Sequence, residues 1–297
     1  MTFRTRFAPS PTGPLHLGHA YSALLAYDMA MCEGGDFLLR IEDIDQGRAR
    51  LAWEAQIYDD LKWLGICWPE PVMRQSDRLG QYRMAIETSA LAGLIYPCGC
   101  SRADIKEALS APQEGVAVYG PDGLVYPGTC RPEEGISVKR QWNEGDTLRL
   151  DMRAAVTHLG ASKSRHGPFT FSFTETGEGP NGETGLIEFT PDALIETIGD
   201  VVLARRDMGT SYHLSVVLDD AAQKISHVVR GRDLFEATKI HVVLQQLLGL
   251  PTPTYHHHKL IRDEDGKRLA KRDDARAISK YREDGLTPQD IRAMVGL

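Results

Sequence analysis

Residues Arg6 to His19 read R-F-A-P-S-P-T-G-P-L-H-L-G-H. Ahead of them, residues 2–8 alternate in the manner of a short strand. Behind them, Leu15 to Met31 is apolar at helical spacing and stops at Gly34-Gly35. The stretch is therefore a strand-to-helix turn. Pro9, Pro11, Gly13 and Pro14 break regular structure between the two elements, so the backbone must arch away before the helix begins. Unpaired N–H groups and the positive end of the helix dipole suit the helix start to phosphate, with His16 and His19 on one face toward it. Gly18 leaves room for a flat ring to approach the backbone. The same residues also fit a proline-rich turn carrying two surface histidines.

Outward from this turn, Asp36 to Ile41 is an apolar strand interrupted by Arg40, which completes a strand-helix-strand unit of the kind buried on both faces. It runs into Glu42, Asp43 and Asp45 at the carboxyl end of a parallel strand, where open α/β sheets bind ligands. Glu42 is suited to holding an amine. Asp43 and Asp45 fit better as caps of the next helix, expected from about Ala49 to Leu64, and a further helix is expected from Asp77 to Ala92.

The chain has 297 residues, 42% hydrophobic, with a net charge of −7. That is enough for one large core or two modest domains. No apolar run reaches 18 residues and the N-terminus enters a strand without a leader, so we expect a cytoplasmic protein with no membrane span. Net acidity argues against general nucleic-acid affinity but leaves room for a local basic patch.

From Tyr96 the character changes to Gly- and Pro-rich hairpins carrying Cys98-Gly-Cys100 and Tyr126-Pro-Gly-Thr-Cys130. Five cysteines, three of them in this region, favour a metal or free thiols over a disulfide framework. Three thiols can meet one tetrahedral ion, with Tyr126, Tyr119, Asp122 or a more distant group as the fourth ligand. From Ile195 the α/β pattern returns. Asp200 to Ala204, Tyr212 to Leu218 and Ile225 to Val229 read as strands, and Asp233 to Leu248 as a helix capped by Asp233. Arg230 follows a strand end at the edge where Glu42 lies and suits a carboxylate partner. The segment Lys259 to Asp274 gathers Lys267, Arg268, Lys271 and Arg272 around an Asp265-Gly266 turn, which would bring cations to a polyphosphate.

H-L-G-H at 16–19 and R-L-A-K-R at 268–272 resemble, in order, the two signature sequences of class I aminoacyl-tRNA synthetases. R-F-A-P-S-P-T-G-P-L-H-L-G-H with L-L-R-I-E-D-I-D at 38–45 narrows the resemblance to the glutamyl group, over the whole chain. The short chain, I-E-D-I-D and the C-x-C…Y-x-x-x-C pattern are similar to the branch that lacks an anticodon-binding domain and esterifies queuosine in tRNA(Asp). Only seven residues follow the helix start Thr287-Pro-Gln-Asp290, in keeping with that branch.

The resemblance implies a doubly wound, Rossmann-like parallel sheet split by a zinc-bearing insert and ending in a short helical tail. The boundaries expected are 1–95 and 195–255 for the catalytic halves, 96–194 for the insert and 256–297 for the lysine loop and tail. It implies a glutamate site at Arg6, Phe7, Ala8, Pro9, Ser10, Glu42, Tyr212 and Arg230. ATP, with Mg²⁺, would meet His16, Gly18, His19 and Lys271, with His16, His19 and Lys271 as the catalytic groups. Cys98, Cys100, Tyr126 and Cys130 would hold one structural zinc. The family's usual K-[LM]-S-K is altered here to Arg268 and Ala270, which removes a hydroxyl but keeps Lys271. Partners would be L-glutamate, ATP and queuosine-containing tRNA(Asp), with the protein a monomer. The rivals are an ordinary glutamyl-tRNA synthetase, a nucleotidyltransferase acting on a small molecule, and a non-catalytic zinc-stabilised RNA-binding module.

Overall fold

Two β units meet edge to edge through a backbone hydrogen bond. The computed structural model describes residues 2–88, 90–110, 119–133, 146–163, 169–262 and 276–297. Strand β1 (Arg4–Phe7) leads through the proline turn into α1 (Leu17–Cys32), and β2 (Asp36–Ile41), α2 (Leu51–Trp63) and β3 (Met73–Arg74) follow. These three strands form a parallel sheet in the order β1-β2-β3. Leu17, Ala20, Tyr21, Ala23, Leu24, Ala26 and Ala30 are the buried residues of α1, a stripe at three- and four-residue spacing whose alanines let the helix approach the sheet closely.

After α3 (Leu79–Glu87) come β4 (Ile95–Cys98), α4 (Arg102–Ser110), the short hairpin β5 (Tyr119–Gly120) and β6 (Gly123–Leu124), β7 (Thr147–Leu150) and α5 (Met152–Lys163). The chain continues with β8 (Phe171–Glu175), β9 (Gly185–Phe189), α6 (Pro191–Thr197), β10 (Val202–Ala204), α7 (Tyr212–Ala222), β11 (His227–Gly231), α8 (Ala237–Leu247), β12 (Thr254–His258), α9 (Ile278–Glu283) and α10 (Pro288–Val295). β4, β7 and β10 make an antiparallel sheet, and β11-β12-β8-β9 a mixed sheet in which β8 and β9 pair as an antiparallel hairpin. The two parallel units join where Ser226 N–H donates to Arg4 O at 3.0 Å.

Several sequence expectations need correction. Tyr212 to Leu218 is not a strand but the first turns of α7, started by Ser211, whose hydroxyl accepts from Leu214 N–H. Burial on every side erases the difference between the two patterns: His213, Leu214, Ser215, Val216 and Val217 are all buried. Asp233 does not cap α8; it lies in a 3₁₀ turn over Arg232–Leu234, and α8 begins at Ala237. Asp43 and Asp45 do not cap α2, whose N-cap is Arg50. Asp43 instead accepts from Ser76 and pairs with Arg74, and Asp45 pairs with Arg48. The helix expected over 77–92 is a 3₁₀ turn at Gln75–Arg78 followed by α3, which ends at Glu87.

Candidate active site and metal centre

The proline turn ends in a helix cap made by two histidines. His16 is the N-cap of α1; its Nδ1 accepts from Gly18 N–H at 3.1 Å, while His19 Nδ1 accepts from His16 N–H at 3.2 Å. The rings stand 3.8 Å apart. A capping box satisfies two otherwise orphaned amides and pins both imidazoles at the helix start. A Cβ at Gly18 would come within 3.1 Å of the His16 ring, so glycine there keeps the cap in place. The other flank of the lysine segment returns to this same point: Ala277 bridges to His16, and Ile278 N–H donates to Leu15 O at 2.9 Å.

In front of this cap lies a cavity of about 430 Å³. Its lining includes Arg6, Phe7, Ala8, Pro9, Ser10, Glu42, Tyr212 and Arg230, together with His16, Gly18 and His19. The first strand, the end of β2, the start of α7 and the end of β11 thus converge on one space. Lys259, Leu260 and Ile261, leading into the lysine segment, also line it. Lys271, Arg268 and Ala270 lie outside the described residues.

The two arginines differ in their surroundings. Arg6 is already paired: its Nε and Nη2 meet Asp220 at 3.0 and 3.3 Å. Arg40 pairs with Asp220 at 2.7 Å and with Glu42 at 3.1 Å, and its fully buried guanidinium also lies 3.9 Å from Asp219. Burial works against the Arg40 charge, yet Asp220, Glu42 and Asp219 outweigh it and raise the Arg40 pKa. Asp220 is likewise held below the ordinary carboxylate range: burial pushes it up, and Arg6 and Arg40 overcome that. For Glu42 burial prevails over Arg40 and Arg6, so its carboxyl titrates higher than usual. Burial costs a charge most where pairing is incomplete.

Arg230 is 5% exposed, and its hydrogen-bond partners are neutral. Nε donates to His257 Nε2 at 3.1 Å, Nη1 to His241 Nδ1 at 3.2 Å, and Nη2 to Thr238 Oγ1 at 2.7 Å and Leu234 O at 3.2 Å. His241, buried beside this cation, is held well below the ordinary histidine range by burial and by Arg230. His257 is also lowered by burial, although Glu175, 2.5 Å from its Nδ1, opposes the shift. A buried guanidinium in a neutral cradle at a cavity wall is a strong seat for an incoming carboxylate.

The residues that sequence reasoning missed are the partners: Asp219, Asp220, His213, His241, His257 and Glu175. A signal existed for some. Asp219-Asp220 interrupts the apolar run Leu214 to Ala222 as Arg40 interrupts β2, and charges inside apolar runs tend to find one another.

In the antiparallel unit, the sulfurs of Cys98, Cys100 and Cys130 lie within 4.8 Å of one another, the three-residue metal-ligand group found among the described residues. Cys100 and Cys130 are 3.4 Å apart, and the Tyr126 hydroxyl lies 3.4 Å from both Cys98 and Cys100. Thiolates around a tetrahedral ion with bonds of about 2.3 Å sit about 3.8 Å apart, so the group fits such an ion. Burial pulls the Cys130 thiol up, but hydrogen bonds from Tyr126 and from the Gly99 amide bring it down to about 7. Tyr126 Oη also accepts from Cys130 N–H at 2.8 Å, and the Arg149 guanidinium sits 3.8 Å over its ring. The other two candidates are placed elsewhere: Asp122 faces His213 at 2.9 Å, and Tyr119 is 75% exposed.

Among described residues, no helix is long and apolar enough to cross a membrane. The family model for class I tRNA synthetases (E and Q), catalytic domain, matches residues 2–125 and 181–297. The glutamyl-Q tRNA(Asp) synthetase of Rhodobacter capsulatus is 61% identical, covering 99% of both chains. That of Nocardia farcinica is 38% identical over 98% of this chain and 82% of its own. Among solved structures, a glutamate-tRNA synthetase from Elizabethkingia anophelis superposes with a TM-score of 0.75 at 26% identity. A glutamate tRNA ligase from Elizabethkingia meningosepticum in complex with its amino acid gives 0.72 at 26%. The alignments cover all of this chain and 61% of each of those two.

Proposed function

Because the chain belongs to the class I tRNA synthetases of the glutamyl and glutaminyl group, we propose that it activates L-glutamate with ATP and transfers the glutamyl group to queuosine in tRNA(Asp). The observation that carries the chemistry is the 430 Å³ cavity in which Arg230, Arg6, Glu42 and the His16/His19 cap converge. The acceptor rests on full-length similarity to a protein named for that acceptor.

Glutamate offers one ammonium and two carboxylates. Glu42 lines the cavity beside Arg40 and is the group for the ammonium; Arg230, with neutral partners, is the stronger seat for a carboxylate. Arg6 is neutralised by Asp220 and contributes its N–H donors more than an unbalanced charge. Tyr212 and residues Phe7 to Ser10 close the walls. The α-carboxylate attacks the α-phosphorus of ATP, the bond to the pyrophosphate leaving group breaks, and glutamyl-adenylate forms. A queuosine hydroxyl then attacks the acyl carbon and AMP leaves. This chain's part is alignment and charge neutralisation: His16 and His19 at the helix start, with Lys271 as the main cation, toward the phosphates. One flank of the segment carrying Lys271 lines the cavity and the other bridges to His16, which supports that role. Mg²⁺ bound with ATP would offset part of the phosphate charge.

We assign Cys98, Cys100, Cys130 and Tyr126 to one zinc ion of structural type, a staple for the loop-rich part of an insert over 96–194 whose last strands, β8 and β9, join the catalytic sheet through β12; the catalytic halves are 1–95 and 195–255, with 256–297 as lysine loop and tail. Four protein ligands leave no open position for substrate, so zinc takes no step in the reaction.

Glutamate-dependent pyrophosphate exchange, without and then with tRNA, tests the first half. Glutamate acceptance by tRNA(Asp) with queuosine and not with guanosine, and intact acceptance after removal of the terminal adenosine, test the second. Mass added to the terminal adenosine of tRNA(Glu) would assign the chain to ordinary glutamyl-tRNA synthesis instead.

A further inference from the structure

One of the contacts that hold Arg230 begins a line that leaves the amino-acid cavity. Arg230 Nη1 is 3.2 Å from His241 Nδ1, His241 Nε2 is 3.1 Å from His213 Nδ1, and His213 Nε2 is 2.9 and 3.0 Å from the two carboxylate oxygens of Asp122. A guanidinium only donates, so His241 Nδ1 accepts. A neutral His241 then carries its proton on Nε2 and donates it to His213 Nδ1. His213 in turn carries its proton on Nε2 and donates it to Asp122. The two ends, a permanent donor and a carboxylate, fix the direction of every hydrogen bond between them.

The line crosses the fold. Arg230 is on β11, His241 on α8, His213 on α7, and Asp122 in the turn between β5 and β6. His213 and His241 are buried, whereas the Asp122 side chain is 53% exposed. Asp122, His213 and Tyr212 also line a second cavity of about 700 Å³, and Tyr212 is a wall of the first cavity too. The outer end of the line therefore stands at a space adjoining the one in which glutamate is read.

We propose that Asp122, His213 and His241 are positioning residues for Arg230, so that the β5–β6 hairpin sets how firmly the amino-acid cavity holds its carboxylate. None of the three touches the reacting atoms. A guanidinium with neutral partners has no strong ion pair to hold its plane, and the imidazole at Nη1 is one of the four hydrogen-bond partners that orient it. That imidazole is itself turned by His213, and His213 by Asp122. The inference deepens the proposed function, because it rests on Arg230 taking a glutamate carboxylate.

Pyrophosphate exchange by the full chain, with the KM for glutamate and for ATP measured separately, tests it. Asp122→Ala changes a half-exposed side chain and should leave the fold intact while raising the glutamate KM by about fivefold or more, with the ATP KM within about twofold. Asp122→Asn keeps an oxygen that accepts from His213 and should stay within about twofold of the parent for both substrates. His213→Ala should raise the glutamate KM in the same way, and adding Asp122→Ala to it should raise it little further, since both cut one line. An unchanged glutamate KM in Asp122→Ala overturns the proposal by itself, as does an equal rise in both KM values, which marks general loss of structure. If the parent chain shows no glutamate-dependent exchange, the functional reading falls and this inference with it.

Discussion

Arg6 and Arg230 line the same cavity, but they carry different electrostatic debts. Arg6 is bound in bidentate fashion by Asp220, and Arg230 meets an imidazole pair, a hydroxyl and a carbonyl. Discrimination against a neutral side chain should therefore fall mainly on Arg230. Glutamine in place of glutamate leaves one carboxylate contact replaced by an amide, at a cost of about 2–5 kcal/mol if the guanidinium is left without an anion. Arg230→Ala should thus raise the glutamate KM by at least about tenfold, with a smaller effect on ATP. Equal exchange rates with glutamine and glutamate would remove this assignment. At this scale the sequence was legible where a residue sits beside a turn or a strand end: Arg6, Glu42 and Arg230 each did. It was opaque where the reason for a residue is its partner, because Asp220 and Arg6 are 214 positions apart and nothing local to either announces the pair.

Elements framed by breakers could be read from their ends; short apolar runs without them could not. The proline turn and Gly34-Gly35 frame α1 close to its observed bounds, while α7 stands where a strand is expected, because the run Leu214 to Val217 is too short to tell a period of 3.6 from a buried strand. Within α2, Asp60 is 1% exposed and neither carboxylate oxygen has a hydrogen-bond partner. Burial, with the neighbouring Asp59, pushes its carboxyl up to about 7 despite Arg282. The unfolded chain releases that proton near pH 4, so between about 4 and 7 folding retains a proton and stability falls as pH rises. Asp60→Asn removes the titration, and the stability lost between pH 5 and pH 8 should shrink by about 1–2 kcal/mol. Chemical denaturation at the two pH values measures it, and parallel losses in both chains would contradict it. In the antiparallel unit, metal analysis should find about one zinc per chain, lost from a Cys98→Ser, Cys130→Ser double variant. A chelator should lower the melting temperature of the parent and barely move that of the double variant. Zinc retained at full occupancy by the double variant would refute the ligand set.

Across the whole molecule, the cavity is an assembly of distant segments. The chain leaves it at Lys259 to Ile261, and returns where Ala277 bridges to His16 and Ile278 N–H donates to Leu15 O. The described residues on either side of the lysine segment thus come to the cavity wall at Lys259 to Ile261 and to His16 at Ala277. On the proposed function, Lys271 should act on charge that grows as pyrophosphate departs, and contribute little to the grip on glutamate, which that reading gives to Arg230 and Glu42. Lys271→Ala is expected to slow adenylate formation by about 100-fold or more, the scale of losing one preorganised charge at a transition state. The glutamate KM should stay within about twofold. Arg268→Ala, which removes a cation at the position of the family's first lysine, should slow the same step less, since Lys271 remains. Single-turnover formation of glutamyl-adenylate at saturating ATP separates rate from binding, and a Lys271→Ala chain that keeps the parent rate but loses glutamate affinity would place the lysine on the amino acid rather than on the phosphates.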